Sequence, residues 1–367
     1  YVYGIFILKT LLHILLWPFS LVYGLITWFR NFLYDAHFLK PTSFDAVKTI
    51  CIGNLCAGGA GKTPHTEYIL KLLGSEFHTA TLSRGYGRKT SGYYEVHQDS
   101  IPEISGDEPL QIKNKFPDTL VAVNENRVKG VKKLLEQDAS LDAIVLDDAF
   151  QHRKIKCGLT LLLTEYGNPY YEDALLPAGR LRENPKGYLR ADIIIVTKTP
   201  EHTNAIDLKV VMKEINPRPY QSMFFSYLRY GQLYNISDRT DVLQAPQKLF
   251  WYRVLLLTGI ANPHSILTYV KEYADEVIHK KYPDHHNFTP ADISDIIRGF
   301  NSIEGDYKMI LTTEKDAMRL RSYSAQLKDL PIFVLPIEVD FKNKTDEFNE
   351  KILSYVNRNK IYHRKYT

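Results

Sequence analysis

The chain has 367 residues, 44% hydrophobic and 24% charged, a composition that supports a sizeable packed core and excludes a disordered chain. Its 46 basic and 42 acidic side chains leave a formal net charge of +4, too even a balance for nucleic acid to be the main partner. The three cysteines, Cys51, Cys56 and Cys157, lack CxxC spacing; they point to neither a disulfide framework nor a zinc site and fit a reducing compartment.

In chain order, the first feature is the run from Ile5 to Leu33, almost wholly apolar or aromatic, with Lys9, His13 and Arg30 as its interruptions. A run of this length predicts a membrane segment, and the bulky Trp28, Phe29 and Phe32 at its end do not fit a signal-peptide cleavage site. Lys9 and Pro18 leave two geometries open, a spanning helix and a helix lying in the interface. After a polar linker near residues 40–43, Val47 to Ile52 reads as a buried strand entering a glycine-rich loop, with a helix from Lys62 to Leu73 behind it. Further strands are expected at Thr79–Leu82, Thr119–Val123, Ala143–Leu146, Thr160–Leu163 and Ile193–Thr197, with a helix at Arg127–Gln137 between two of them. This alternation predicts a largely parallel sheet.

The stretch Gln221–Asn235, dense in Tyr and Phe, reads as extended structure at a domain connection. A second α/β series follows, with strands at Val254–Thr258, Met309–Thr313 and Ile332–Leu335. One of its helices opens at Thr289-Pro290, where Thr289 suits the N-cap, Pro290 the first helical position and Asp292 the positive end of the dipole. Since a single core stops growing at roughly 250 to 300 residues, the expected organisation is a membrane anchor over 1–35, a nucleotide-binding domain over 36–220, a connecting β-rich segment over 221–250 and a smaller α/β domain over 251–367. The last of these ends in a basic tail, Arg358, Lys360, Arg364 and Lys365.

The sharpest local signal is Gly58-Gly59-Ala60-Gly61-Lys62-Thr63, between a predicted strand and a predicted helix. A phosphate-binding P-loop requires that setting: backbone N–H groups cradle phosphates, Lys62 reaches the β- and γ-phosphates, and Thr63 can hold Mg²⁺. The first glycine of the usual GxxxxGK[ST] pattern is replaced by Cys56. Ala143-Ile144-Val145-Leu146-Asp147-Asp148 is an apolar strand ending in two carboxylates, which would set a Mg²⁺-coordinating Asp beside the P-loop threonine. The predicted fold class is therefore a P-loop NTPase-like parallel-sheet domain with a second, smaller α/β domain behind an N-terminal membrane helix.

Asp147-Asp148-Ala149-Phe150-Gln151-His152-Arg153 closely resembles the DDGFQHR signature of the tetraacyldisaccharide 4′-kinase family. Other blocks similar to that family's occur in the expected order: Gly53-Asn54-Leu55, Ser83-Arg84-Gly85-Tyr86, Gly106-Asp107-Glu108-Pro109, Leu176-Pro177-Ala178-Gly179-Arg180-Leu181-Arg182-Glu183, Pro283-Asp284-His285-His286 and Thr313-Glu314-Lys315-Asp316. Ala149 replaces the signature's glycine, and Asn184 follows Leu-Arg-Glu before Pro185; neither departure removes a charged group.

The resemblance implies that Asp147, Asp148 and Glu108 surround Mg²⁺ directly or through water. It implies that Arg127 and Arg180 neutralise charge on the transferring phosphoryl group, and that Arg84 and Tyr86 meet a lipid headgroup or phosphate. It also implies that Asp107 and His285, one from each domain, prepare the acceptor hydroxyl. The activity so implied is ATP- and Mg²⁺-dependent transfer of the γ-phosphate to the 4′-hydroxyl of a tetraacyldisaccharide 1-phosphate, at the cytoplasmic face of the inner membrane. The competing expectation is a membrane-tethered nucleotide switch; it has no need of the Asp107/His285 pair, and a convincing Asn-Lys-x-Asp guanine motif is missing, with Thr197-Lys198 a mere fragment of one.

Overall fold

The computed structural model describes residues 2–74, 76–243 and 249–363, with side chains described over 14–74, 76–243 and 249–357. Of the expected basic tail, residues 364 and 365 therefore lie outside the described residues, as do the side chains of 358 and 360.

Fifteen strands among the described residues form two sheets. In chain order they are β1 (Lys48–Asn54), β2 (Thr79–Ser83), β3 (Tyr94–Glu95), β4 (Leu120–Val123), β5 (Ala143–Leu146), β6 (Leu159–Glu165), β7 (Ile193–Thr197), β8 (Ser222–Tyr230), β9 (Leu233–Asn235), β10 (Val242–Leu243), β11 (Arg253–Thr258), β12 (Glu276–Lys281), β13 (Lys308–Thr313), β14 (Ile332–Leu335) and β15 (Ile337–Phe341). The large sheet runs β15-β8-β7-β6-β1-β5-β2-β4-β3, the small one β10-β9-β14-β13-β11-β12. From β8 to β4 every pairing in the large sheet is parallel, and only its two edge strands run antiparallel. The residues explain this: β2, β5 and β7 are buried along their whole length, as strands covered on both faces must be. β1 lies between β5 and β6, and Cys51 is in register with Leu146, so the glycine-rich loop and the Asp147-Asp148 pair emerge from the same edge, where α/β sheets bind their ligands.

The chain crosses between the sheets twice, between β8 and β9 and between β14 and β15, and the Gly231 N–H at the first crossing donates to the Pro336 carbonyl at the second, 3.0 Å away. The structure here corrects the expected boundaries. Residues 337–363, expected in the smaller domain, return to the large sheet: β15 pairs with β8, and the helix Thr345–His363 buries Phe348, Ile352 and Val356 in the large sheet's core. β8, expected in the connector, is a full member of that sheet. The cause is non-local burial: Phe341 and Phe348 pack on Phe224 of β8, with ring centroids 6.2 and 5.3 Å away.

The N-terminal run does form a helix, Val2–Asp35. Among the described residues, however, no helix is long and apolar enough to cross a membrane, so the expected spanning segment is not supported. One stripe of this helix is polar and bound to protein. Ser20 Oγ donates to the Leu175 carbonyl (3.0 Å) and accepts from the Ala178 N–H (2.9 Å), the Tyr23 hydroxyl donates to the Arg182 carbonyl (2.8 Å), and Asn31 Nδ2 donates to Glu183 Oε2 (2.7 Å). The remaining surface exposes Ile14, Trp17, Phe19, Leu25, Trp28 and Phe29, among others.

Candidate active site

β1 ends at Asn54 and hands the chain to a loop in which Gly58 and Gly61 have φ of +122° and +80°, a region that side chains bearing a Cβ avoid. Gly61 caps the helix Lys62–Leu73, so the first N–H groups of that helix face the loop with the positive end of its dipole. Cys56, in place of the usual first glycine, pairs as an isolated bridge with Leu181 and has no positive φ; its position does not demand glycine. Lys62 Nζ donates to Asn54 Oδ1 at 3.3 Å and lies 3.7 Å from Asp148 Oδ1. Beneath the loop, buried His65 bonds the Gly61 carbonyl through Nδ1 (2.7 Å) and Ser226 Oγ through Nε2 (2.9 Å). A carbonyl only accepts, so the proton sits on Nδ1 and the serine hydroxyl donates to Nε2. Burial pushes this imidazole down to about 4, which keeps it neutral.

Asp147 follows β5 and is buried. Burial, with the nearby Glu108 carboxylate, pushes its carboxyl up to about 7 against the pull of Lys62, and it accepts from the Thr66 hydroxyl at 3.4 Å. Asp148 sits at a left-handed φ of 46° and accepts from Arg182 Nη1 at 2.7 Å. Burial raises its carboxyl, but Lys62 and Arg182 outweigh that and hold it below the usual carboxylate range. Thr63, next to Lys62 in the chain, and Glu108, whose charge reaches Asp147, are half-buried. Among the described residues no three His, Cys, Asp or Glu side chains converge closely enough to hold a metal ion by themselves, so Glu108, Asp147 and Asp148 do not form a ready-made protein cage.

The arginines lie differently from one another. Arg127 is buried; Nη1 donates to the Asn124 carbonyl (2.9 Å) and Nη2 to those of Asp147 (3.1 Å) and Asp148 (3.2 Å). It thus braces the backbone beneath the carboxylates. Arg180 Nε donates to Asp173 Oδ2 at 2.7 Å; its side chain is 43% exposed and lines a small cavity with Ala57, Gly58, Gly59 and Ala60. Arg84 is exposed, and the exposed Tyr86 ring lies 5.8 Å from that of His285.

Asp107 opens the helix Asp107–Lys115, which packs on the large sheet, whereas His285 lies in the loop after β12 of the small sheet at a φ of 57°. Their side chains meet: His285 Nδ1 is 3.0 Å from Asp107 Oδ2. The helix Glu314–Leu320 supplies two further groups. Arg319 is buried and grips both Asp107 oxygens, Nε donating to Oδ1 at 3.0 Å and Nη2 to Oδ2. Lys315 Nζ donates to His285 Nε2 at 2.8 Å. Burial raises the Asp107 carboxyl, but His285 and Arg319 more than reverse this and keep it ionised below its ordinary range. His286 is turned away, bonded to Asp292 at 3.0 Å.

A family model described as tetraacyldisaccharide-1-P 4′-kinase matches residues 12–357. The chain belongs to the tetraacyldisaccharide 4′-kinase family. Curated relatives of that name include one from Bacteroides thetaiotaomicron, 44% identical over 95% of this chain and 94% of its own length, and one from Flavobacterium johnsoniae, 40% identical over 95% and 98%. Among solved structures, LpxK from Aquifex aeolicus, described as an "apo" form in complex with ATP, superposes with a TM-score of 0.73 at 29% identity, covering 94% of this chain and 99% of that one.

Within this family member, the residues that sequence reasoning left without a role are His65, Arg182, Glu183, Lys315 and Arg319. Four of them stand in the quoted blocks or next to the P-loop, so their presence near the site was readable. Their partners were not: Glu183 is fully buried and joins Asn31, Gln151 and Arg190, the first two far away in sequence. Arg319 lies beyond the last block, and only the tertiary contact with Asp107 reveals it.

Proposed function

We infer that this kinase transfers the γ-phosphate of ATP to the 4′-hydroxyl of tetraacyldisaccharide 1-phosphate, a step in lipid A biosynthesis. The observation that carries the reading is the Asp107–His285 pair, assembled from two sheets one residue before Glu108, whose charge reaches Asp147. A nucleotide switch that only hydrolyses its ligand gives no reason to build such a pair. Incubating the purified protein with γ-labelled ATP and the lipid disaccharide in detergent should give labelled lipid; nucleotide hydrolysis without labelled lipid would favour the switch instead.

Phosphoryl transfer asks of a protein chiefly positioning and charge stabilisation. In this reading Lys62 and the loop N–H groups hold the phosphates, and Arg180, exposed at the lip of the loop, reaches the transferring group. Arg127 acts from below by fixing the carbonyls of Asp147 and Asp148. Asp107, held on both oxygens by Arg319, orients His285, and the imidazole accepts the proton of the sugar hydroxyl as that oxygen attacks. The donors present fit Mg²⁺: it commonly takes one or two carboxylates and completes its shell with water and phosphate oxygens, and Asp147, buried with its carboxyl pushed up beside Glu108, gains from a neighbouring cation. Asp147, Asp148, Thr63 and Glu108 would hold it directly or through water. When bound, it would neutralise charge building up on the phosphates.

We also place the helix Val2–Asp35 in the interface of the inner membrane's cytoplasmic leaflet. Its polar stripe is fixed to the segment Leu175–Glu183, while Trp17, Phe19, Leu25, Trp28 and Phe29 face outward, the arrangement of a helix lying along a bilayer surface. The acceptor's acyl chains could then stay in lipid while its sugar enters the site.

A further inference from the structure

We propose that Lys315 is a positioning residue for the proton acceptor, its ammonium holding the His285 imidazole neutral with Nε2 unprotonated and directed at the acceptor hydroxyl's place. The inference rests on the reading of His285 as the base. It starts from an apparent conflict at Nδ1, which is 3.0 Å from Asp107 Oδ2 and 2.9 Å from Arg319 Nη2. A carboxylate only accepts and a guanidinium only donates, so Nδ1 can satisfy one of them. At the other end of the ring stands Lys315 Nζ, 2.8 Å from Nε2, and an ammonium also only donates. If Nδ1 accepted from Arg319, the proton would sit on Nε2 against the ammonium, and the Nδ1 lone pair would face the carboxylate. Both contacts would be repulsive. With the proton on Nδ1, both are hydrogen bonds, and Arg319 keeps its own pair of bonds to Asp107.

The same geometry opposes the imidazolium. Protonating Nε2 sets an N–H and a positive charge against Lys315. The charged and polar groups facing the ring are Asp107 from one helix, Lys315 and Arg319 from another, Asp284 from the ring's own loop and the Tyr86 ring. Asp284 lies 4.0 Å from Nε2 and 3.7 Å from Lys315 Nζ, so it holds the ammonium in place more closely than it holds the imidazole. Two carboxylates favour the charged ring and two cations disfavour it; the nearest group to Nε2 is the lysine. The acceptor hydroxyl can take the ammonium's place on Nε2, giving up its proton there as the phosphorus–oxygen bond forms and the bond to ADP breaks.

The test compares Lys315→Met, which keeps length and loses charge, with Lys315→Arg, which keeps charge; Lys315→Gln serves if the Met variant fails to fold by circular dichroism. Nitrogen NMR of the histidines, with His285 identified by its absence in His285→Asn, reads tautomer and titration without substrate. Expected are the Nδ1–H tautomer in the wild type, a midpoint raised by about one pH unit in Lys315→Met, and one near wild type in Lys315→Arg. The acid limb of kcat/KM should move up by the same amount, so the Met variant loses most at acidic pH, approaching about tenfold below the wild-type limb, and least at alkaline pH. An unmoved midpoint, or a loss equal at every pH with the limb in place, overturns the proposal. Near-normal transfer by His285→Ala overturns the base reading on its own, and the substrate-free titration then still decides whether Lys315 governs the ring.

Discussion

At the scale of single residues, two charged side chains near the phosphate loop should behave in opposite ways. Lys62 ends between Asn54 and Asp148 with no packing duty in the core, so Lys62→Ala should lower kcat by about a hundredfold or more while leaving the melting temperature nearly unchanged. Arg127 is buried and holds the backbone carbonyls of Asn124, Asp147 and Asp148. Arg127→Ala leaves them without a donor and should destabilise the fold by about 3 kcal/mol, readable as a drop in the urea midpoint. An Arg127→Ala protein with wild-type stability but no turnover would move this arginine from brace to phosphate ligand. The Asp107–His285 pair gives a third expectation. Each alanine variant should cut transfer far more than ATP affinity, and the double variant should be little worse than the poorer single one. Multiplicative losses would show that the two act independently, and damage by His286→Ala, which is bonded to Asp292 instead, would shift the assignment by one position.

At the scale of elements, the N-terminal helix has two faces with separable duties. Trp28→Glu with Phe29→Glu places charge on the exposed face, away from the contacts of Ser20, Tyr23 and Asn31. Flotation with phospholipid vesicles should show the variant released, while transfer to detergent-dispersed substrate stays near wild type. Retention on vesicles by the variant would mean that the bilayer contact lies elsewhere on the molecule.

At the scale of the whole molecule, the two sheets are joined by more than their crossings. Lys115 Nζ donates to Glu67 Oε2 (2.7 Å), on the P-loop helix, and to Glu314 Oε1 (3.0 Å), at the start of the helix that carries Lys315 and Arg319. Burial and the Glu314 charge push the Glu67 carboxyl up to about 7, against Lys115 and Gln111. Because its folded value lies above its unfolded one, the folded state binds the extra proton in between. That contribution to stability is complete below about pH 4.5 and is lost as pH rises through about 7, at no more than about 1.4 kcal/mol per pH unit. Glu67→Gln should therefore flatten the fall in stability between pH 5 and 8 seen in denaturant midpoints. An identical slope in wild type and variant would place the ionised form of Glu67 in the folded protein throughout.

The central strands, the P-loop helix and the two carboxylates were legible in the sequence because their signals are local: continuous apolar runs, a glycine-rich turn, an acidic strand end. β5, β7 and β14 fall on their expected residues, as do the helices Lys62–Leu73 and Arg127–Gln137. β12 escaped, since Glu-Val-Ile-His-Lys-Lys at a half-exposed edge carries no apolar run. The ordered blocks also determined the family. What the sequence could not determine is which distant segments share a surface. The return of β15 and the last helix to the large sheet depends on Phe341 and Phe348 finding Phe224. The docking of the first helix depends on Ser20, Tyr23 and Asn31 finding a loop some 150 residues away. The role of Arg319 depends on a helix of the small sheet facing a helix of the large one, and that of Lys315 on the loop after β12 folding back against the same small-sheet helix. Periodicity and motif record what a segment does with its own neighbours; the cost of leaving aromatic rings in water or charges without partners is settled only when the whole chain closes on itself.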